Sequence, residues 1–192
     1  MINLLRRSLF IRAIETPNPN FMKFMPGEIV LEEGTLDFAA PRYTNISPMA
    51  RKLFEVDGVE RVFYGRDYVS VGKTEQEEWD VLKPLVYEIM MDQFTGAEPL
   101  VLDSPPVGTE INEDDPEVVQ LIKEILDVRI RPHIQEDGGD VAFISFEEGV
   151  LTLQMQGSCV GCPSSAATLH DGIERMLKHY VEEVVEVVAE DA

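Results

Sequence analysis

Between residues 97 and 114 the sequence carries no apolar periodicity, but it does carry Pro99, Pro105, Pro106, Gly108 and a run of acids. Such a stretch supplies neither a helix face nor a strand, so it reads as an exposed, acidic, proline-containing linker. It limits the 192-residue chain to two small folding units rather than one large one. Hydrophobic residues make up 44% of the chain, enough for a core in each unit. The expected organisation is residues 10–96, a linker over 97–114, and residues 115–192.

Both units read as α+β. In the first, Phe10-Ile14 and Met22-Met25 are strand candidates, separated by Thr16-Pro17-Asn18-Pro19-Asn20, whose prolines and asparagines force a turn. Ser47 is placed to cap a short helix that begins at Pro48. Val59-Tyr64 and Tyr68-Val71 flank Gly65-Arg66-Asp67 as a hairpin. Thr74 and Glu77 have capping-box spacing before a helix bearing Trp79, Leu82, Val86 and Ile89, with Pro84 expected to kink or shorten it. In the second unit Asp115 is a cap candidate ahead of a stripe formed by Val118, Ile122, Ile125 and Leu126. Gly138-Gly139 then breaks the chain before strands at Val141-Phe146 and Val150-Met155. A helix bearing Ala166, Leu169, Ile173, Met176, Leu177 and Tyr180 follows, and Val184-Val188 closes the unit. The order is α-β-β-α-β.

Charge excludes some partners. Lys and Arg number 16 against 36 Asp and Glu, a net of −20, which repels nucleic acid. Residues 1–109 hold 11 basic and 17 acidic side chains, and residues 110–192 hold 5 and 19, so most of the acidity lies in the second unit. No apolar run reaches the roughly 20 residues of a membrane span, so no membrane partner is expected. Residues 1–9 run against the trend: Arg6, Arg7 and Ser8 alternate with Leu4, Leu5 and Leu9, with no acid before Glu15. That pattern resembles a targeting segment, although it is short for a complete one.

Cys159 and Cys162 are the chain's two cysteines, three positions apart in Gln156-Gly157-Ser158-Cys159-Val160-Gly161-Cys162-Pro163. So few cysteines do not make a disulfide framework, which points to a reducing compartment. A Cys-x-x-Cys pair serves either as a redox dithiol or as half of a four-thiolate site for zinc or an iron–sulfur cluster. The pair lies between a strand and a helix that opens at Pro163, where the positive end of the helix dipole is expected to acidify thiols held out to solvent. His133, His170 and His179 lack ligand spacing to the pair. Four thiolates therefore require two chains, and a symmetric dimer would bring two pairs face to face.

The run Arg131-Pro132-His133-Ile134-Gln135-Glu136-Asp137-Gly138-Gly139-Asp140-Val141, with Gln156-Gly157-Ser158-Cys159 and Cys162-Pro163-Ser164-Ser165, resembles the NifU C-terminal domain of Nfu-type iron–sulfur proteins. Thr16-Pro17-Asn18-Pro19-Asn20 with Met22-Lys23-Phe24 resembles the Nfu N-terminal domain. The resemblance implies a non-enzymatic cluster scaffold or carrier, with Cys159 and Cys162 as the ligands. It also implies a [4Fe-4S] cluster shared between two chains of a homodimer. Upstream assembly proteins would donate the cluster, and apo-proteins such as lipoyl synthase or aconitase-like enzymes would receive it. Family members with both domains are typical of mitochondria and related bacteria, which implies the mitochondrial matrix, with a bacterial-type cytoplasmic member or a cytosolic short isoform as alternatives. On the residues alone two other readings stay open: a thiol–disulfide oxidoreductase using the same dithiol, and a zinc-bridged structural dimer.

Overall fold

The computed structural model describes residues 10–102, 112, 114–162 and 165–191. The expected targeting segment at residues 1–9, most of the linker, and Pro163 with Ser164 lie outside the described residues. The first unit is a five-stranded antiparallel sheet made by β1 (Arg12–Glu15), β2 (Phe21–Met25), β3 (Leu36–Phe38), β4 (Val59–Tyr64) and β5 (Val69–Lys73), in the order β1-β2-β5-β4-β3. Two α-helices accompany it, α1 (Pro48–Phe54) and α2 (Trp79–Thr95), with a 3-10 helix at Pro41–Ile46 leading into the first. Strand alternation sorts the side chains between two faces. Met22, Phe24, Val62, Tyr64, Val69 and Val71 join a core with Met49, Leu53, Val86 and Met90 of the helices. The opposite face carries Lys23, Ser70 and Phe63, which are partners across three adjacent strands and are all buried.

The second unit follows the expected order. A helical run consists of α3 (Glu117–Ile125), one π-helical turn at Leu126–Ile130, and α4 (Arg131–Glu136). It leads into β6 (Gly139–Glu147) and β7 (Val150–Gly157), and then into α5 (Ser165–Tyr180) and β8 (Glu186–Asp191). β6 pairs antiparallel to β7, and β8 pairs parallel to β7. Leu151, Leu153 and Met155 alternate inward from β7 against Ile122, Leu126 and Ile134 of the helical run and Ile173 and Leu177 of α5.

Several local expectations are corrected. Thr74 and Glu77 form a turn rather than a capping box, because α2 begins only at Trp79, with Glu78 in the cap position and no side-chain cap bond. Pro84 lies inside α2, which runs on to Thr95. Asp115 does not cap α3. Its carboxylate instead accepts from Lys123 Nζ at 2.7 Å and from the Asn112 N–H at 3.0 Å, and these two bonds hold its pKa below the usual carboxylate value. β3, only three residues long, was too short to show as a period. Residues 100–102 lie against the first unit: Leu100 and Val101 pack on its core, and the Leu102 N–H donates to Ile46 O at 2.7 Å.

Ser47 caps as expected: its hydroxyl oxygen accepts from the Ala50 N–H at 3.2 Å and lies 2.9 Å from the buried Tyr64 hydroxyl. Ser47→Ala removes a cap and leaves Tyr64 without that partner. It is expected to lower stability by about 2 kcal/mol, read as a shift in the urea midpoint.

Candidate functional site

β7 ends at Gly157, whose φ of +57° is in the left-handed region. A Cβ there would lie 2.8 Å from Phe63 Cγ and 2.9 Å from Gly138 O. The chain then turns through Ser158–Gly161, with the Cys159 N–H donating to Gln156 O at 3.3 Å and the Val160 N–H to Gly157 O at 3.2 Å. Ser158 Oγ donates to Asp137 O at 2.6 Å and ties this turn to the one at Asp137-Gly138. The two turns touch at one point that excludes any side chain: a Cβ on Gly139 would lie 2.5 Å from Cys159 Sγ. The double glycine therefore forms the seat for the first thiol.

Asp140 fixes that seat from below. It is 1% exposed and takes Arg131 in a fork, Nε at 2.8 Å and NH2 at 2.6 Å. It also accepts from its neighbour's Val141 N–H at 2.8 Å, from Gln135 Nε2 at 3.3 Å, and from Thr35 Oγ1 of the first unit at 2.9 Å. Hydrogen bonding to Asp140 drives the Arg131 pKa upward, so the guanidinium stays charged. A buried carboxylate needs this degree of satisfaction.

More contacts come from the first unit. The Asn18 side-chain amide donates to both Ser158 O and Val160 O, each at 3.0 Å, across the thiol loop itself. Lys23 Nζ donates to Gln135 O at 2.8 Å and Glu136 O at 3.2 Å, the last carbonyls of α4, where a cation suits the helix dipole. Burial pulls the Lys23 pKa down, and Asp67 is the largest opposing charge. Ser70 Oγ donates to Gly138 O at 2.7 Å, and Tyr68 OH to Gly139 O at 3.2 Å.

The thiols are not held out to solvent. Cys159 is 8% exposed and Cys162 is 2% exposed. Nor is Cys159 acidified: burial, and after it the nearby Cys162, Asp140 and Asp137, push its thiol up to about 12, against a Ser158 hydrogen bond that lowers it. Desolvation outweighs whatever helix-terminal field reaches the sulfur. An apolar groove of about 500 Å³ borders Cys159, with Leu153, Met155, Ile173 and Val187 among its walls. No group of three or more His, Cys, Asp or Glu gathers into a metal site among the described residues. His133 and His179 are exposed.

Sequence reasoning found both cysteines and the double glycine. It missed Arg131 and Asp140 as the support beneath the seat, and it missed Asn18, Lys23 and Ser70 as contacts from above. An arginine nine residues ahead of an aspartate leaves no periodic trace, and Asn18 in a Pro-Asn-Pro run is already accounted for as a turn residue.

Residues 122–188 match the family model of the NifU-like domain, and residues 11–97 match that of the scaffold protein Nfu/NifU N terminal. A human protein named NFU1 iron-sulfur cluster scaffold homolog, mitochondrial, is 50% identical over 188 residues, covering 96% of this chain and 74% of that protein. A Drosophila persimilis protein of the same name is 49% identical over 191 residues, 97% of this chain and 68% of the other. NifU-like protein 5, mitochondrial, of Arabidopsis thaliana is 49% identical over 184 residues, 93% and 67% of the two chains.

Two outcomes are expected. In the apo-protein, the difference in 240 nm thiolate absorbance between the wild type and Cys159→Ser should stay flat through the ordinary thiol range near pH 8.5 and rise only toward pH 12. The unfolded chain releases that proton earlier, so the contribution of Cys159 to stability is fully present below about pH 8.5 and is lost as pH climbs toward 12. Gly139→Ala, whose backbone conformation alanine can adopt, should lower stability by about 1–3 kcal/mol by overpacking and should displace the Cys159 sulfur, seen as altered thiol reactivity.

Proposed function

The chain belongs to the Nfu-type family of iron–sulfur cluster scaffold proteins, and from that membership we propose that it receives a [4Fe-4S] cluster on Cys159 and Cys162 of two protomers and delivers it to apo-proteins. The observation that carries this reading is the donor count. One loop presents two thiols, the sequence holds no other cysteine, and a [4Fe-4S] cluster takes four thiolates. A second chain supplies the missing pair across a two-fold axis. Residues 115–192 are the cluster-binding domain in this reading and residues 10–96 the domain that attends it, joined through 97–114.

Transfer is ligand exchange. Client thiolates take the irons one by one, each departing cysteine sulfur takes up a proton, and no electron changes hands. In the closed apo-chain, burial pushes the Cys159 thiol up to about 12, which weighs against the dithiol oxidoreductase, whose attacking sulfur must be a thiolate near neutral pH. The role is therefore that of a carrier rather than an enzyme. The cluster donor is an upstream assembly protein, and the clients are apo iron–sulfur proteins of the lipoyl synthase or aconitase-like kind. The site of action is mitochondrial, as for the named relatives, and the expected compartment within it is the matrix. None of the described helices is long and apolar enough to cross a membrane.

Anaerobic reconstitution with iron and sulfide should give a brown protein with about four irons per two chains. Cys159→Ser and Cys162→Ser should each lose it while keeping the folded circular-dichroism signal. Cys159→Ser buries a hydroxyl in the second core and is expected to cost about 1–2 kcal/mol. The loaded protein should restore activity to an apo iron–sulfur enzyme, and the apo-protein should reduce insulin disulfides poorly. Rapid insulin reduction with no transfer would return the case to the oxidoreductase, and bound zinc with neither activity would return it to the structural dimer.

A further inference from the structure

The first unit is fitted over the thiol loop. Five of its side chains donate across the boundary: Asn18 to Ser158 O and Val160 O, Lys23 to Gln135 O and Glu136 O, Tyr68 to Gly139 O, Ser70 to Gly138 O, and Thr35 to Asp140 Oδ2. Six of the seven acceptors are backbone carbonyls, and all seven belong to the turns and the helix end that seat the cysteines. The face making these bonds is the one its own helices leave open. On it Phe63 reaches 0% exposure with the backbone of Gly157 lying on its ring. Gly138 is similarly pressed, a Cβ there falling 2.7 Å from Ser70 Oγ.

This arrangement conflicts with cluster sharing. A cluster held between two chains needs both sulfurs at a surface that meets the partner, whereas here Cys159 and Cys162 are 8% and 2% exposed and the loop is spanned by Asn18. A contact between domains that rests largely on hydrogen bonds to carbonyls can exchange them for water, and polar inter-domain interfaces of this kind open readily. We propose that the first domain is a cap: in the apo-chain it closes over the Cys159–Cys162 loop and shields the thiols, and cluster loading requires it to lift. The part concerning loading rests on the proposed function. The shielding does not.

Asn18→Asp isolates the idea. Asn18 Oδ1 accepts from the Asn20 N–H at 3.1 Å, a bond within the turn that a carboxylate keeps, while the two donated bonds become repulsion between a carboxylate and two carbonyls. The fold of the first domain is thereby spared and the cap is weakened. Lys23→Met serves as a second variant, since it keeps an apolar stem on β2 and removes the two donors to α4. The measurement is the rate of thiol modification by 5,5′-dithiobis(2-nitrobenzoate) in the iron-free full chain, with circular dichroism as the control for folding. The wild type should react slowly, and each folded variant on the order of ten-fold faster or more, as expected when two bonds are lost. Wild-type thiols reacting as fast as those of the urea-unfolded chain, or folded variants reacting no faster than wild type, would overturn the cap. Should the variants unmask the thiols and also take up cluster faster than wild type, shielding and loading are linked as proposed. If thiols are unmasked but no protein takes up cluster, the cap stands and the cluster reading fails.

Discussion

The pairing of Arg131 with Asp140 underlies the rest of the site. Asp140 is nearly inaccessible, and every contact it makes positions something else: Arg131 at the start of α4, the backbone entering β6, and Thr35 reaching over from the first sheet. Between the two charged residues lies the Asp137-Gly138-Gly139 turn on which Cys159 rests. Removing one partner of such a pair strands a buried charge, typically at about 3–5 kcal/mol. The thiol loop has little regular structure of its own and takes its shape from this segment. The shape of the thiol loop therefore rests on an ion pair that contains neither cysteine.

Two apolar cores and one polar seam account for the architecture. Each sheet packs an alternating apolar face against its own helices, so each unit is supplied with a core. The seam between them is different in kind. Its donors are side chains of the first unit, and its acceptors are mostly main-chain carbonyls of the second, a pattern that recognises a backbone shape. Gly138 and Gly157 allow that approach because they bring no Cβ into it. Burial of both cysteines follows from the seam and from the second core together, and the raised pKa of Cys159 follows from the burial.

The periodic parts of the chain were legible in advance. The hairpin expected at Val59-Tyr64 and Tyr68-Val71, whose second strand runs over Val69–Lys73, the Ser47 cap with Pro48 at the first helical position, the alternation of Leu151, Leu153 and Met155, and the α-β-β-α-β order all follow from local spacing. The chemistry of the cysteines was legible as a type and not as a state. Spacing announces a thiol pair, but exposure and acidity depend on Asn18 and Asp140, which lie 141 and 19 residues from Cys159 in sequence. The face bearing Lys23, Ser70 and Phe63 was invisible for the same reason: a lysine, a serine and a phenylalanine on three strands show no pattern until the strands are paired. The failed capping box at Thr74 and Glu77 has a local origin, since the chain turns once more before α2 begins.

We propose that one cluster is held by four cysteine sulfurs from two chains. Native mass spectrometry of the anaerobically reconstituted full chain reads that stoichiometry directly. The expected species is two chains plus one four-iron, four-sulfide unit, which collapses to apo-monomer mass when the cluster is stripped. A single chain carrying the complete cluster would contradict it.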